Sequence, residues 1–240
     1  VFVNTCSVTA SADQGARQMI RRIARSNSEA RVVVTGCYAT RRPAEVASLP
    51  TVVRVVSNAD KDTIADAVAD EYGLTTAERF SDGDGPCGHA LVPGTAGRTA
   101  LTLRVQTGCG EACSYCIIPS TRGPGRSHSL KDVAHDVGRA VDAGYKEIAI
   151  TGVHLGSYGR DLAEGSSLAQ LVRMLGDWPA DVLFRVSSLE PMDCSPELVE
   201  IVASSPRIAP HFHLPLQHGS DAMLRAMRRP YTVSYYRSLV

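Results

Sequence analysis

Cys109, Cys113 and Cys116 stand in the run Gly108-Cys109-Gly110-Glu111-Ala112-Cys113-Ser114-Tyr115-Cys116, a C-x3-C-x2-C spacing with an aromatic residue before the last cysteine. Thiolates are soft ligands that select iron–sulfur clusters or zinc. Three on one short loop can hold three irons of a four-iron cluster and leave the fourth open, and an open coordination position signals chemistry rather than structure. The alternative is a zinc site, or thiols without a metal. Zinc needs a fourth ligand, for which Cys87 and His128 are the nearest candidates. Neither has the paired C-x2-C halves of a zinc ribbon.

Two more cysteines follow strand-like runs: Cys6 in Asn4-Thr5-Cys6-Ser7-Val8, and Cys37 in Thr35-Gly36-Cys37-Tyr38. Strand ends of a parallel sheet share one edge, where ligands bind. With a third cysteine from an upstream strand these two can hold a second cluster. On the residues alone, buried small side chains are the better reading, since free Cys is often buried. His154, His211, His213 and His218 fall at strand ends and read as pocket walls or hydrogen-bonding groups rather than ligands. Cys87 and Cys194 read as incidental.

The elements that must position these residues are legible from periodicity. Val1–Thr5, Arg31–Gly36 and Thr51–Ser57 read as strands. Ser7–Asn27, Ala39–Ser48 and Ala59–Tyr72 read as helices, the last opened by Asn58 as its cap. Residues 81–98, rich in Gly, Pro and Asp, read as a linker. A second series follows: strands Thr99–Gln106, Glu147–Thr151, Val182–Ser187 and His211–Leu216, alternating with helices Leu130–Ala143, Leu168–Leu175, Pro196–Ala203 and Ser220–Met227. Strand–helix alternation predicts an α/β fold with parallel sheets. The second series has the rhythm of a (β/α) barrel of the TIM type, whose sites lie on the loops after the strands. The expected domains are 1–80, the linker 81–98 and 99–240. Val1 begins inside a strand-like run and Val240 falls inside a helix-like one, so the chain reads as a fragment of a longer protein.

Composition narrows the class. Apolar residues make up 44%, enough for a core, and the formal net charge is zero. Residues 1–58 carry eight Arg against three acids, whereas residues 59–97 carry two basic residues against eight acids. Arg17, Arg21 and Arg25 recur at i, i+4 and i+8, with Arg22 beside them. Such a face can meet a polyanion but more often is only solvated. No apolar run approaches 18 residues and no signal peptide is present. An odd number of cysteines, seven, fits reduced thiols in a cytoplasmic protein better than a disulfide framework.

Taken together, VNTCSVT, TGCYA, GCGEACSYCIIPSTRGPGRS, ITGVHLGSYG, SSLEP and HLPLQHGSD…MRRPYT resemble the radical S-adenosylmethionine methylthiotransferases. Within that group they most resemble the bacterial tRNA N6-threonylcarbamoyladenosine family. The GVHLG and GCY forms favour it over the relatives acting on isopentenyladenosine in tRNA, which tend to show NTCSIRE, GCMAQ and GQNVNSY, or on a ribosomal protein. The resemblance implies a methylthiotransferase N-terminal domain followed by a radical S-adenosylmethionine partial barrel.

The same resemblance implies two 4Fe-4S clusters. One sits on Cys109, Cys113 and Cys116 and generates a 5′-deoxyadenosyl radical from S-adenosylmethionine. The other sits on Cys6, Cys37 and a third cysteine upstream of Val1, and presents a sulfur methylated by a second S-adenosylmethionine. Tyr115, Gly152, Ser187, Glu190 and Gln217 match positions that contact S-adenosylmethionine. Arg122 and Arg126 are candidates to grip the carboxylate of the threonylcarbamoyl group, because a guanidinium can make two hydrogen bonds to it. Implied partners are tRNA, a reductant such as flavodoxin or ferredoxin, and a sulfur donor, with no membrane. A non-enzymatic zinc or RNA-binding module is the reading from another class.

Overall fold

The computed structural model describes residues 1–64, 68, 92–94, 99–163 and 165–240. Most of the expected linker, Cys87, and most of the expected helix Ala59–Tyr72 lie outside the described residues. The chain packs as two units: Val1–Glu78 with Tyr115–Gly123, and Arg79–Ser114 with Pro124–Val240.

In the first unit, β1 (Phe2–Thr5), β2 (Val32–Gly36) and β3 (Val52–Val55) form a parallel sheet in that order. All five residues of β2 are buried, as a central parallel strand with both faces covered demands. Helix α1 (Ala10–Ser26) starts where the Thr9 hydroxyl accepts the Ala12 N–H at 3.1 Å. Its Ala16, Ile20 and Ile23, spaced four and three apart, pack on Val32, Val34 and Val46. The helix expected over Ala39–Ser48 is two helices, α2 (Cys37–Arg41) and α3 (Pro43–Ala47). The break falls at Arg42, whose φ −130° and ψ 57° leave the helical region, as the ring of the following proline requires. Helix α4 (Ile118–Arg122) belongs to this unit and packs against α2.

In the second unit, β4 (Ala100–Arg104), β7 (Glu147–Thr151) and β8 (Leu183–Val186) form a parallel sheet, with Arg104 opposite Thr151 and Ile150 opposite Val186. Helices α5 (Leu130–Asp142), α6 (Leu168–Gly176) and α7 (Pro196–Ser204) alternate with them. Each begins on a serine cap, Ser129, Ser167 or Ser195, and Ser167 with Gln170 completes a capping box. Their inward stripes, such as Val133, Val137 and Ala140 of α5, close a core with Ile148, Ile150 and Phe184. Helices α8 (Asp221–Ala226) and α9 (Val233–Leu239) follow. The architecture is the α/β, parallel-sheet class predicted above.

Two expected strands differ. Thr99–Gln106 ends as β4 at Arg104, and the chain then forms β5 (Gln106–Thr107), antiparallel to β6 (Arg126–Ser127). The expected strand His211–Leu216 is not a regular strand. Only Ile208 and His213 bridge, to Phe184 and Ser188. Pro210 precedes this run and Pro215 lies within it, and neither has an N–H to give to a ladder, which accounts for the interruption.

Tyr158 locks the loop after β7 to the segment after β6. Its buried hydroxyl donates to the His128 carbonyl at 2.7 Å. Burial, then the charges of Asp161 and Asp132, push the phenol up to about 12, so it remains a donor throughout the physiological range. Tyr158→Phe should lower unfolding stability by about 1 to 2 kcal/mol, the cost of leaving a buried carbonyl unpaired. Denaturant unfolding checks this, and an unchanged midpoint would contradict it.

Candidate iron–sulfur sites

The first unit places Cys6 and Cys37 directly after Thr5 and Gly36, which are register partners in adjacent parallel strands. Cys6 is exposed and Cys37 buried. Gly36 makes the approach possible. Its φ is +100°, and a Cβ there would lie 2.2 Å from the Thr5 carbonyl oxygen and 2.6 Å from its nitrogen. The Thr5 hydroxyl donates to the Thr35 carbonyl at 2.6 Å and accepts the Ala39 N–H at 3.2 Å, tying the start of α2 to the end of β1.

Around Cys37 the hydrogen-bond donors converge. Asn58 Nδ2 lies 3.5 Å from its sulfur and also donates to the Thr121 carbonyl at 2.8 Å. Burial pushes this thiol up, but hydrogen bonds from Arg122, Asn58 and Thr121 and the guanidinium charge of Arg122 outweigh it and hold the thiol below its ordinary range. Arg122, expected at a substrate carboxylate, lies near enough to Cys37 for its positive charge to favour the thiolate. Asn58 is not the cap of a helix. Its side chain serves Cys37, and Asp60 precedes the 3-10 turn Lys61–Thr63. Cys116 and Tyr115 pack with this unit, and Tyr115 is 53% exposed.

In the second unit, Cys109 and Cys113 follow β5. The Glu111 N–H donates to Cys109 Sγ at 3.4 Å, and His154 Nδ1 lies 3.8 Å from the same sulfur. Arg229 Nη1 donates to Cys113 Sγ at 3.0 Å. Buried Gln106 joins this loop to the one after β7. Its amide nitrogen donates to the Gly108 carbonyl at 2.9 Å, and its oxygen accepts the Val153 and His154 N–H groups, each at 2.9 Å. His154 in turn meets Asp193 through Nε2 at 2.7 Å, and Arg160 braces Asp193 at 3.2 Å. The two glycines of the GVHLG run make room for these partners. A Cβ on Gly152 would lie 3.0 Å from Gln106 Oε1, and one on Gly156 would lie 2.1 Å from Asp193 Cγ.

The other expected residues have separate partners. Ser187 follows β8 and its N–H bonds the Ile150 carbonyl at 3.0 Å. Glu190 pairs with Arg229. The Gln217 N–H donates to the Tyr231 hydroxyl at 3.3 Å. Arg126 is exposed on β6. The histidines do not share a centre: His213 meets Ser188 at 2.7 Å, and His218 accepts the Ser220 N–H at 3.1 Å. Arg17 donates to the Tyr38 hydroxyl at 3.0 Å and pairs with Glu45 at 3.1 Å. Arg21, Arg22 and Arg25 are exposed. Gln106, Asp193, Arg160 and Arg229 were not singled out from the sequence, and no spacing rule marks them.

Among the described residues, no group of three or more His, Cys, Asp or Glu side chains is placed to hold a metal ion. Ligands of a four-iron cluster hold different irons and stand farther apart than ligands of one zinc ion. The donor set fits a cluster better: thiols at strand-end loops, three of them receiving N–H hydrogen bonds, the kind of contact that tunes cluster sulfurs. Cys194, by contrast, is buried where burial pushes its thiol up, which suits an inert side chain. Gly36→Ala should destabilise the chain by about 3 kcal/mol, the upper end for strained backbone, since the Thr5 backbone must also move. Thermal unfolding reads the loss, and an unchanged midpoint would contradict the close approach that places Cys37.

The family model of uncharacterised protein family UPF0004 matches residues 1–58, and that of the radical SAM superfamily matches residues 103–240. The threonylcarbamoyladenosine tRNA methylthiotransferase MtaB of Bacillus subtilis is 36% identical over 98% of this chain and 52% of its own length. The ribosomal protein uS12 methylthiotransferase RimO of Sorangium cellulosum is 34% identical over 95% of this chain and 49% of its own. A tRNA-2-methylthio-N(6)-dimethylallyladenosine synthase of Fusobacterium nucleatum is 32% identical over 100% of this chain and 56% of its own. The chain spans about half the length of the curated relatives it matches. Among solved structures, the radical S-adenosylmethionine methyltransferase TsrM of Kitasatospora setae superposes with a TM-score of 0.64 at 15% identity, over 99% of this chain and 52% of that one. With more than half of its residues matching that model, over the unit that carries Cys109 and Cys113, the chain belongs to the radical SAM superfamily.

Proposed function

We propose that the whole protein is a tRNA methylthiotransferase that inserts a methylthio group at C2 of N6-threonylcarbamoyladenosine beside the anticodon. The observation that carries this reading is the presence of two separate cysteine sets, each with N–H donors aimed at sulfur. One, Cys6 and Cys37, lies in the unit matched by the UPF0004 model. The other is the C-x3-C-x2-C loop, with Cys109 and Cys113 in the radical SAM unit. Relatives named for the threonylcarbamoyl substrate, at 36% identity, support the choice of substrate, as do the GVHLG and GCY forms. Isopentenyladenosine and a ribosomal protein are the substrates of the runner-up readings, favoured by relatives at 32% and 34% identity.

Cys109, Cys113 and Cys116 would hold one cluster, and Cys6 and Cys37 would supply two ligands of the other. When bound, the first cluster supplies the electron for reductive cleavage of S-adenosylmethionine, and the second supplies the site from which sulfur is delivered. The chain's own groups do the rest. Gln106 holds the cysteine loop against the loop after β7, where Gly152 leaves space beside it. Tyr115, Gly152, Ser187, Glu190 and Gln217 are our candidates to hold S-adenosylmethionine. Arg122 and Arg126, the latter exposed on β6, are our candidates for the threonylcarbamoyl carboxylate. The protein would act in the cytoplasm with tRNA, a low-potential reductant and a sulfur donor. No helix among the described residues is long and apolar enough to cross a membrane.

Two measurements test this. Nucleosides of tRNA from a strain lacking the gene should carry threonylcarbamoyladenosine without its 2-methylthio group, restored by the full-length gene. Loss of the isopentenyl product instead would move the protein to the other tRNA subfamily. In the full-length enzyme, Arg126→Met should cut methylthiolation about tenfold or more, as expected for one lost charged hydrogen-bond pair. Cleavage of S-adenosylmethionine without substrate should be spared. Unchanged product formation would remove Arg126 from the substrate site.

A further inference from the structure

Arg229 is almost wholly withdrawn from water, its side chain 3% exposed. Burial of a guanidinium is costly unless the charge is paired and its N–H groups are taken up. Here it pairs with Glu190, lies 5.5 Å over the Tyr231 ring and donates to Cys113 Sγ at 3.0 Å. The chain reaches this arrangement through a specific helix ending. After α8, Arg228 takes a left-handed φ of +57°, at a cost of about 1 to 2 kcal/mol for a residue other than glycine. The Arg229 N–H then closes on the Leu224 carbonyl at 2.8 Å and the Arg228 N–H on that of Arg225 at 2.9 Å, a Schellman ending. Pro230 prevents the helix from continuing.

The same helix end holds the next residue of the cysteine loop. The Ser114 hydroxyl donates to the Ala226 carbonyl at 2.9 Å and its N–H to the Met227 carbonyl at 3.3 Å. Carbonyls at a helix C-terminus lack partners within the helix, and here they are satisfied by the loop that carries Cys113. Two consecutive loop residues are therefore fixed by one helix terminus, one through its sulfur and one through its backbone and hydroxyl.

We propose that Arg229 is a positioning residue that sets both the place of Cys113 and the reduction potential of the cluster it ligates, a role that rests on the function proposed above. The guanidinium stays cationic at every accessible pH. Reduction adds one electron from an external low-potential donor and makes the cluster one unit more negative. A fixed positive charge and an N–H aimed at a ligating sulfur favour that reduced state. Glu190 balances the arginine, so removing Arg229 alone leaves a carboxylate without its cation, which opposes reduction further.

The test is a dithionite titration of the anaerobically reconstituted full-length protein, followed by electron paramagnetic resonance. The loop cluster is identified in the wild type by the signal that shifts on adding S-adenosylmethionine, and its midpoint is then compared between variants without that compound. The midpoint of that signal should move to more negative potential in Arg229→Gln, move less in the charge-balanced double variant Glu190→Gln with Arg229→Gln, and stay nearest wild type in Arg229→Lys. Loss of the signal from Arg229→Gln with retention in Arg229→Lys would also support the role, through placement of Cys113. A wild-type midpoint and wild-type iron content in both Arg229→Gln and the double variant would overturn it. Absence of any such signal from wild-type protein would instead overturn the proposed function, and this inference with it.

Discussion

A sulfur drawn partly out of bulk water needs N–H groups pointed at it, and much of this chain's local structure answers that requirement. Cys37 receives Asn58, Cys109 receives the Glu111 amide, and Cys113 receives Arg229. Each donor comes from a different element, so each needs its own support. Asn58 is held by the Thr121 carbonyl, Arg229 by Glu190 and the closure of α8, and the loop of Cys109 by Gln106. The parallel sheets behind them are necessary because only parallel strands bring successive strand ends to one edge.

Much of that frame was legible in the sequence. Runs such as Val32-Val33-Val34 and Glu147–Thr151 are too short and too β-branched to be anything but buried strands, and the serine caps mark where α5, α6 and α7 begin. What escaped were interactions between residues far apart in the chain. Arg229 lies 116 residues from Cys113, and Asp193 lies 39 from His154; no periodicity links them. The interrupted segment after Ile208 was misread because its apolar run resembles a strand, while two prolines deny it a ladder. Pro43 marks the break at Arg42 in the sequence, against an apolar pattern that runs on through it.

The glycines show the same division between local and distant causes. Gly152 and Gly156 look like turn residues in sequence, yet neither has a positive φ. They are small because Gln106 and Asp193 occupy the space a side chain would need. The GVHLG run that carries part of the family resemblance thus has a packing explanation: it lets the loop after β7 lie against the cysteine loop and against Asp193. The C-x3-C-x2-C loop itself crosses from one packing unit to the other between Ser114 and Tyr115, a division that its spacing alone does not reveal.

The proposed function requires two independent sets of cysteines to hold two clusters. The most direct measurement is iron and acid-labile sulfide per polypeptide in the anaerobically reconstituted full-length protein. About eight irons are expected in the wild type, from two four-iron clusters, and about four when Cys6 and Cys37 are both replaced by alanine, with the signal sensitive to S-adenosylmethionine retained. An iron content that does not fall in that double variant, or a wild type that binds zinc in place of iron, would contradict it.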